Sequence, residues 1–208
     1  EPVLATHPDR CGSCRACVQV CPTSAIAPDG YRVDSRRCIS YWTIEQQGVL
    51  PRWIMERMGR RVFGCDDCTL ICPWNAKADA PLTHSLEPRP HQIAPDLVDL
   101  LEDCAPDRFA TRFGDTSVFR TGPDALARNV IVALASVDTE RARAAIIETL
   151  QGHRSSVVRA TAVWAHHRQG GSVDRYVKDD AVPVAEMAHA LLEGQPALPP
   201  SLEVSSTP

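Results

Sequence analysis

Four cysteines within eleven residues, Cys11, Cys14, Cys17 and Cys21, followed at once by Pro22, constrain this chain more than any other feature. Three thiols at three-residue spacing on a tight loop can wrap one centre, while the fourth starts a helix that points the other way. Cys65, Cys68, Cys72 and Pro73 form a second, shorter run that lacks one cysteine. Cys38, 27 positions before Cys65, can supply the missing thiol. Nine cysteines in 208 residues is many for an ordinary globular chain but below the density of a disulfide scaffold. Residues Glu1 to Arg10 are polar, without the apolar segment of a secretory signal, and no apolar run approaches the roughly 20 residues that span a bilayer. The expectation is a cytoplasmic protein with no membrane segment, whose reduced thiols serve metal, with Cys104 as the spare.

The first run has the C-x₂-C-x₂-C-x₃-C-P spacing of bacterial two-cluster ferredoxins, in which the fourth cysteine serves the other cluster. The pseudo-symmetry of such a core assigns one 4Fe–4S cluster to Cys11, Cys14, Cys17 and Cys72. It assigns the other to Cys21, Cys38, Cys65 and Cys68. Between the runs, Ala25 to Ala27, Pro28-Asp29-Gly30 and Tyr31 to Val33 read as a β-hairpin.

A plain electron carrier does not need the stretch between Cys38 and Cys65. It holds Tyr41, Trp42 and Trp53, and residues 52–61 carry Arg52, Arg57, Arg60 and Arg61 against Glu56 alone. Arginine with aromatics suits RNA or another large anion. The same residues also suit a helix packed through Trp53, Ile54 and Met58 with solvated arginines, and the two readings are compatible. Net charge, at −4, carries no argument for nucleic acid.

Composition shifts near residue 80. Pro81, Pro88, Pro90 and Pro95 mark a linker, and the chain then becomes Ala-rich with helical periodicity. Leu126, Val130, Ile131, Leu134 and Val137 share one face, as do Val157, Thr161, Trp164 and Ala165, and then Val184, Met187, Ala188, Leu191 and Leu192. Short breaks between these runs look like paired-helix stacking of the HEAT kind. The expected fold class is therefore α+β, a two-cluster ferredoxin-like domain followed by an all-α HEAT-like helical domain. Its parts are a cluster domain over 1–80, a linker and helix over 81–123, helices over 124–195 and a disordered tail over 196–208.

Cys-Ile-Ser-Tyr-Trp-Thr-Ile-Glu at 38–45, Gly-Cys-Asp-Asp-Cys at 64–68 and Cys-Pro-Trp-Asn at 72–75 closely resemble epoxyqueuosine reductase. The stretches 127–134 and 157–165 are similar to its HEAT-like segment, so the resemblance runs to about residue 170. It implies reduction of the epoxide of epoxyqueuosine in the tRNA anticodon loop, the last step of queuosine biosynthesis, by cobalamin and two 4Fe–4S clusters. It also implies tRNA and an external electron donor as partners of a monomeric enzyme. In that family a cobalamin-binding domain carrying the proton-donating acid precedes the first cluster motif, whereas ten residues precede Cys11 here. The chain is thus expected to be a C-terminal part, or one of two separate chains, inactive alone and with no catalytic acid to name.

Under the resemblance, Tyr41, Trp42, Asp66 and Asp67 are candidates to face cobalamin. Arg128, Asn129 and Arg159 either line a tRNA face with Arg52, Arg57, Arg60 and Arg61 or stand as solvent-exposed caps at helix starts. Cys104 and Trp164 read as core, and His166-His167 as the end of a helix. The rival functions are a related cobalamin and iron–sulfur reductase of another substrate, such as an organohalide, and a ferredoxin-type carrier.

Overall fold

The computed structural model describes residues 10–77 and 93–194; most of the proline linker and the 196–208 tail lie outside the described residues. The cysteine-rich part folds mainly as short elements, because its loops are committed to presenting thiols. Helix α1 spans Ala16–Val20, α2 Ile39–Ile44, α3 Arg52–Met58 and α4 Asp67–Leu70. After the undescribed stretch come α5 at Leu97–Glu102 and α6 at Pro106–Phe113. The last four helices are α7 at Pro123–Leu134, α8 at Glu140–Gly152, α9 at Ser156–Arg168 and α10 at Val182–Leu192.

Their ends follow local chemistry. Asp96 caps α5 by accepting from the amides of Val98 and Asp99, and Thr139 caps α8 by accepting from Ala142. Gly122, at φ +78°, makes the left-handed turn into α7, and Pro123 then fills the first helical position, where no amide is needed. Arg141 pairs with Asp96 and Asp99, tying α8 to α5.

Ten of the twelve residues of α7 are buried. A helix buried on every side belongs in the centre, and α7 packs against α2, α3, α5, α8 and α9, while α9 also packs against α8 and α10. The periodic residues of α7 and α10 are buried as expected, except that Val137 falls beyond the end of α7 and is half-buried, and Leu192 is 48 % exposed. In α9, Val158 takes the core position and Val157 is only half-buried, while Thr161, Trp164 and Ala165 are core. Cys104 is buried and donates to Leu100 O at 3.2 Å; burial pushes its thiol up to about 12.

The α+β class needs correction. Among the described residues the hairpin is one antiparallel bridge, Ile26 with Val33, flanked by Ala27 N–H to Arg32 O and Asp34 N–H to Ala25 O. Tyr31 and Val33 are exposed. A two-stranded ribbon with no apolar face to bury does not extend itself, and the described chain is helical. The apolar core also crosses the expected boundary near residue 80: Ile39, Leu50, Trp53, Ile54, Met55 and Met58 join one cluster with Leu126, Ile131 and Leu134. No described helix is long and apolar enough to cross a membrane.

Candidate metal centre

None of the nine cysteines, all of them among the described residues, is in a disulfide. The first run is set by its own loop. Gly12 turns at φ +47°, Cys14 N–H bonds Cys11 O at 2.9 Å, and Arg15 closes the loop by donating to Gly12 O and Cys14 O at 2.9 and 2.7 Å. Cys11 and Cys14 are exposed, and Cys17 lies on α1. The second run returns to this loop. The Trp74 indole donates to Arg10 O at 3.2 Å, and the Arg10 guanidinium lies over the Trp74 ring. Helix α4, which precedes Cys72, packs on α1. Two residues after Cys72 are thereby pinned beside the start of the first motif.

Cys21, Cys38, Cys65 and Cys68 converge more tightly. All four line one cavity of about 170 Å³, together with Pro22, Ala25, Ile26 and Ile39. Three separate segments supply these thiols, and each is held from behind. Ser24, at φ +52°, bends the chain so that Ala25 N–H points at Cys21 Sγ, 3.2 Å away. Cys38 is the residue before α2. The hydroxyls of α2 hold the third segment, Thr43 Oγ1 accepting from Gly64 N–H at 3.0 Å and Ser40 Oγ from Cys65 N–H at 3.1 Å. Gly64 at φ +77° is the turn that lets both amides face α2.

Electrostatics single out the same group. Burial raises the Cys65 and Cys68 thiols, and Coulomb repulsion from Cys38 adds to both, with Cys21 adding to Cys68. Burial also pushes Cys21 up, but hydrogen bonds from Ala25, Thr23 and Ile26 outweigh it and leave its thiol lowered. No described group of three or more side chains closes around a single metal ion. Four thiols walling one cavity, with amides aimed at sulfur, suit the larger surface of a cluster.

The arginine and asparagine expectations change. Arg128 and Asn129 are fully buried in the middle of α7, not at a helix start. Arg128 donates to Trp42 O, Gln46 O and Gly48 O at 2.9, 2.8 and 2.6 Å and to Asn129 Oδ1, while Asn129 Nδ2 donates to Thr43 O and Val62 O. Burial pulls the Arg128 pKa down to about 10, which leaves it cationic at neutral pH. These two cannot meet a tRNA phosphate, because the chain from 42 to 62 already covers and saturates them. Arg52 donates to Ala190 O, Arg61 grips Asp67, and Arg159 pairs with Asp179 at 2.9 Å. Arg57 and Arg60 remain exposed.

The cobalamin candidates do not converge either. Asp66 and Asp67 line a groove of about 700 Å³ with Phe63, Leu70 and Leu97; Tyr41 and Trp42 line neither this groove nor the thiol cavity. The Trp42 indole is committed to Arg36 O at 2.7 Å, and its ring meets Tyr41 edge-on. These four residues therefore share no single cavity. Sequence reasoning missed the supporting residues Ser40 and Thr43 and gave Arg128 and Asn129 a surface role; the roles of all four depend on partners 21 to 86 residues away.

Comparison with known proteins agrees with this geometry. Residues 10–75 match a 4Fe–4S double cluster binding domain. The chain is 38 % identical over 151 residues to epoxyqueuosine reductase of Shigella dysenteriae, covering 73 % of this chain and 39 % of that enzyme. It is 36 % identical to an uncharacterized protein of Geobacillus stearothermophilus, covering 78 % of this chain and 74 % of the relative. A crystal structure of epoxyqueuosine reductase with an epoxyqueuosine-modified tRNA stem loop superposes with a TM-score of 0.81 at 30 % identity, over 90 % of this chain and 51 % of that one. The chain thus spans about half or less of the length of these reductases.

Proposed function

We propose, for a chain related to the epoxyqueuosine reductases over about half their length, that it is the electron-delivering and tRNA-contacting part of an enzyme reducing epoxyqueuosine to queuosine in tRNA. The observation that carries this is the cavity walled by Cys21, Cys38, Cys65 and Cys68. These four hold one 4Fe–4S cluster, and Cys11, Cys14, Cys17 and Cys72 hold the other. When bound, the clusters supply one-electron transfer. The chain's own residues fix the thiolates, aim amides at sulfur and shield one side of the cavity with Ile26, Val33 and Ile39. Cobalamin and the proton donor belong to the remaining length of the relatives. Helices α7 to α10 are HEAT-like pairs, of which α7 braces α2 behind the cavity cluster.

Anaerobically loaded protein should contain about eight irons, two clusters of four. Cys21→Ser should remove the cavity cluster and leave the other, bringing iron to about four. Zinc, or about four irons in the parent, would overturn the ligation.

For tRNA, the surviving phosphate candidates are Arg57 and Arg60, one at the end of α3 and one just beyond it. Replacing both by Ala should weaken binding of a tRNA stem loop and flatten its salt dependence by about 0.7–0.9 in log–log slope per lost contact. Iron content should not change. Filter binding at several salt concentrations decides: an unchanged slope means these arginines only solvate α3.

A further inference from the structure

The loop from α3 to α4 carries a charged pair that neither ligation nor tRNA contact explains. Arg61 is anchored by its Nη1 to Met58 O at 3.1 Å. Its Nε and Nη2 grip the two Asp67 oxygens at 3.2 and 2.5 Å, and Arg61 lines the same groove as Cys65, whose thiol feels its charge. Asp67 lines the four-thiol cavity beside Cys65 and Cys68; its backbone amide hydrogen-bonds the Cys65 sulfur, while its carboxylate charge acts on that sulfur in the sense opposite to Arg61. The two side chains are 31 % and 22 % exposed, so water screens their field less than that of a fully exposed pair. Arg15, beside the first motif, directs its donors at the backbone carbonyls of Gly12, Cys14 and Pro28.

We propose that Arg61 and Asp67 set the reduction potential of the cluster held by Cys21, Cys38, Cys65 and Cys68, Arg61 raising it and Asp67 lowering it. The inference rests on the ligation proposed above. Reduction of a 4Fe–4S cluster by one electron from an external donor adds one negative charge and breaks no bond. A cation against a ligand sulfur stabilises the reduced form, and an anion there opposes it. The pair sits at one cluster, so it sets the relative potentials of the two and hence where an electron rests. Arg61 is a positioning and tuning residue here, since it reaches the cluster through Cys65.

The test is a redox titration with dithionite and mediator dyes, followed by EPR, on iron-loaded parent, Arg61→Gln, Arg61→Lys and Asp67→Asn. Iron is counted first, and the signal that Cys21→Ser removes identifies the cavity cluster. That signal should shift to lower potential in Arg61→Gln, to higher potential in Asp67→Asn, and stay near the parent in Arg61→Lys, with the other signal unmoved. A pair that merely holds the loop is broken equally from either side. Arg61→Gln and Asp67→Asn would then shift in the same direction or lose the same cluster. Either result, an unmoved signal, or equal movement of both signals overturns the proposal. A parent that takes up no second cluster sinks the ligation as well, whereas a fully loaded parent with unmoved potentials sinks the tuning alone.

Discussion

Replacing Arg128 by Met should cost the iron-loaded chain about 3–5 kcal/mol of stability. The substitution keeps much of the side-chain length and removes the charge, so burial itself becomes cheaper. The loss comes from the acceptors left behind. Trp42 O, Gln46 O and Gly48 O, on half-buried residues, each lose the guanidinium donor that covers them, and the buried Asn129 Oδ1 loses two. A deprived buried acceptor costs roughly 1–3 kcal/mol. Arg128→Lys should recover part of the loss, because one ammonium cannot fork across three carbonyls. Urea unfolding of the three proteins measures this. A loss under about 1 kcal/mol for Arg128→Met would show that the segment 42–48 holds itself in place. The expected consequence reaches the clusters, since the same α2 that Arg128 caps holds Gly64 and Cys65 through Thr43 and Ser40.

Stripping iron should unfold the chain in two blocks that are not contiguous in sequence. Residues 10–37 bury only Thr23, Ala25 and Arg37, and residues 64–77 bury none. Ordering backbone costs roughly 1–2 kcal/mol per residue, and these segments have no core to offset it without metal–ligand bonds. The stretch 39–58 behaves otherwise, because Ile39, Leu50, Trp53, Ile54, Met55 and Met58 are built into the helical core. Chelation should therefore open trypsin sites at Arg15, Arg32 and Arg36 while those at Arg128 and Arg159 stay closed. Circular dichroism should keep most of its helical signal. Mass mapping of the digest checks both, and an iron-free protein still protected at Arg15 and Arg32 would refute the dependence.

The thiol spacing was legible because it is local. Cys11, Cys14 and Cys17 sit on one loop whatever the rest of the chain does, and α7, α9 and α10 follow from apolar periodicity within each segment. Cys38 was found by elimination, and the cavity brings it to Cys21, Cys65 and Cys68. The hairpin was overread: its turn is present, with Gly30 N–H on Ala27 O, but Tyr31 and Val33 stay exposed and give the strands little apolar burial to lengthen on.

The polar residues were misplaced for a physical reason. Arginine and asparagine in an Ala-rich helix look solvent-exposed, since burying a charge is costly without partners. The partners of Arg128 come from residues 80 to 86 positions earlier, as backbone carbonyls that no side-chain pattern encodes. Sequence by itself determined which thiols exist, how they are spaced, and where helices run, because those depend on neighbours within a few residues. Only the tertiary structure decided that α2 and α3 belong to the helical core, that Arg128 and Asn129 brace it from inside, and that Arg61 turns to Asp67. Each of those depends on which distant groups are left needing a donor, a cover or a counter-charge once the chain is packed.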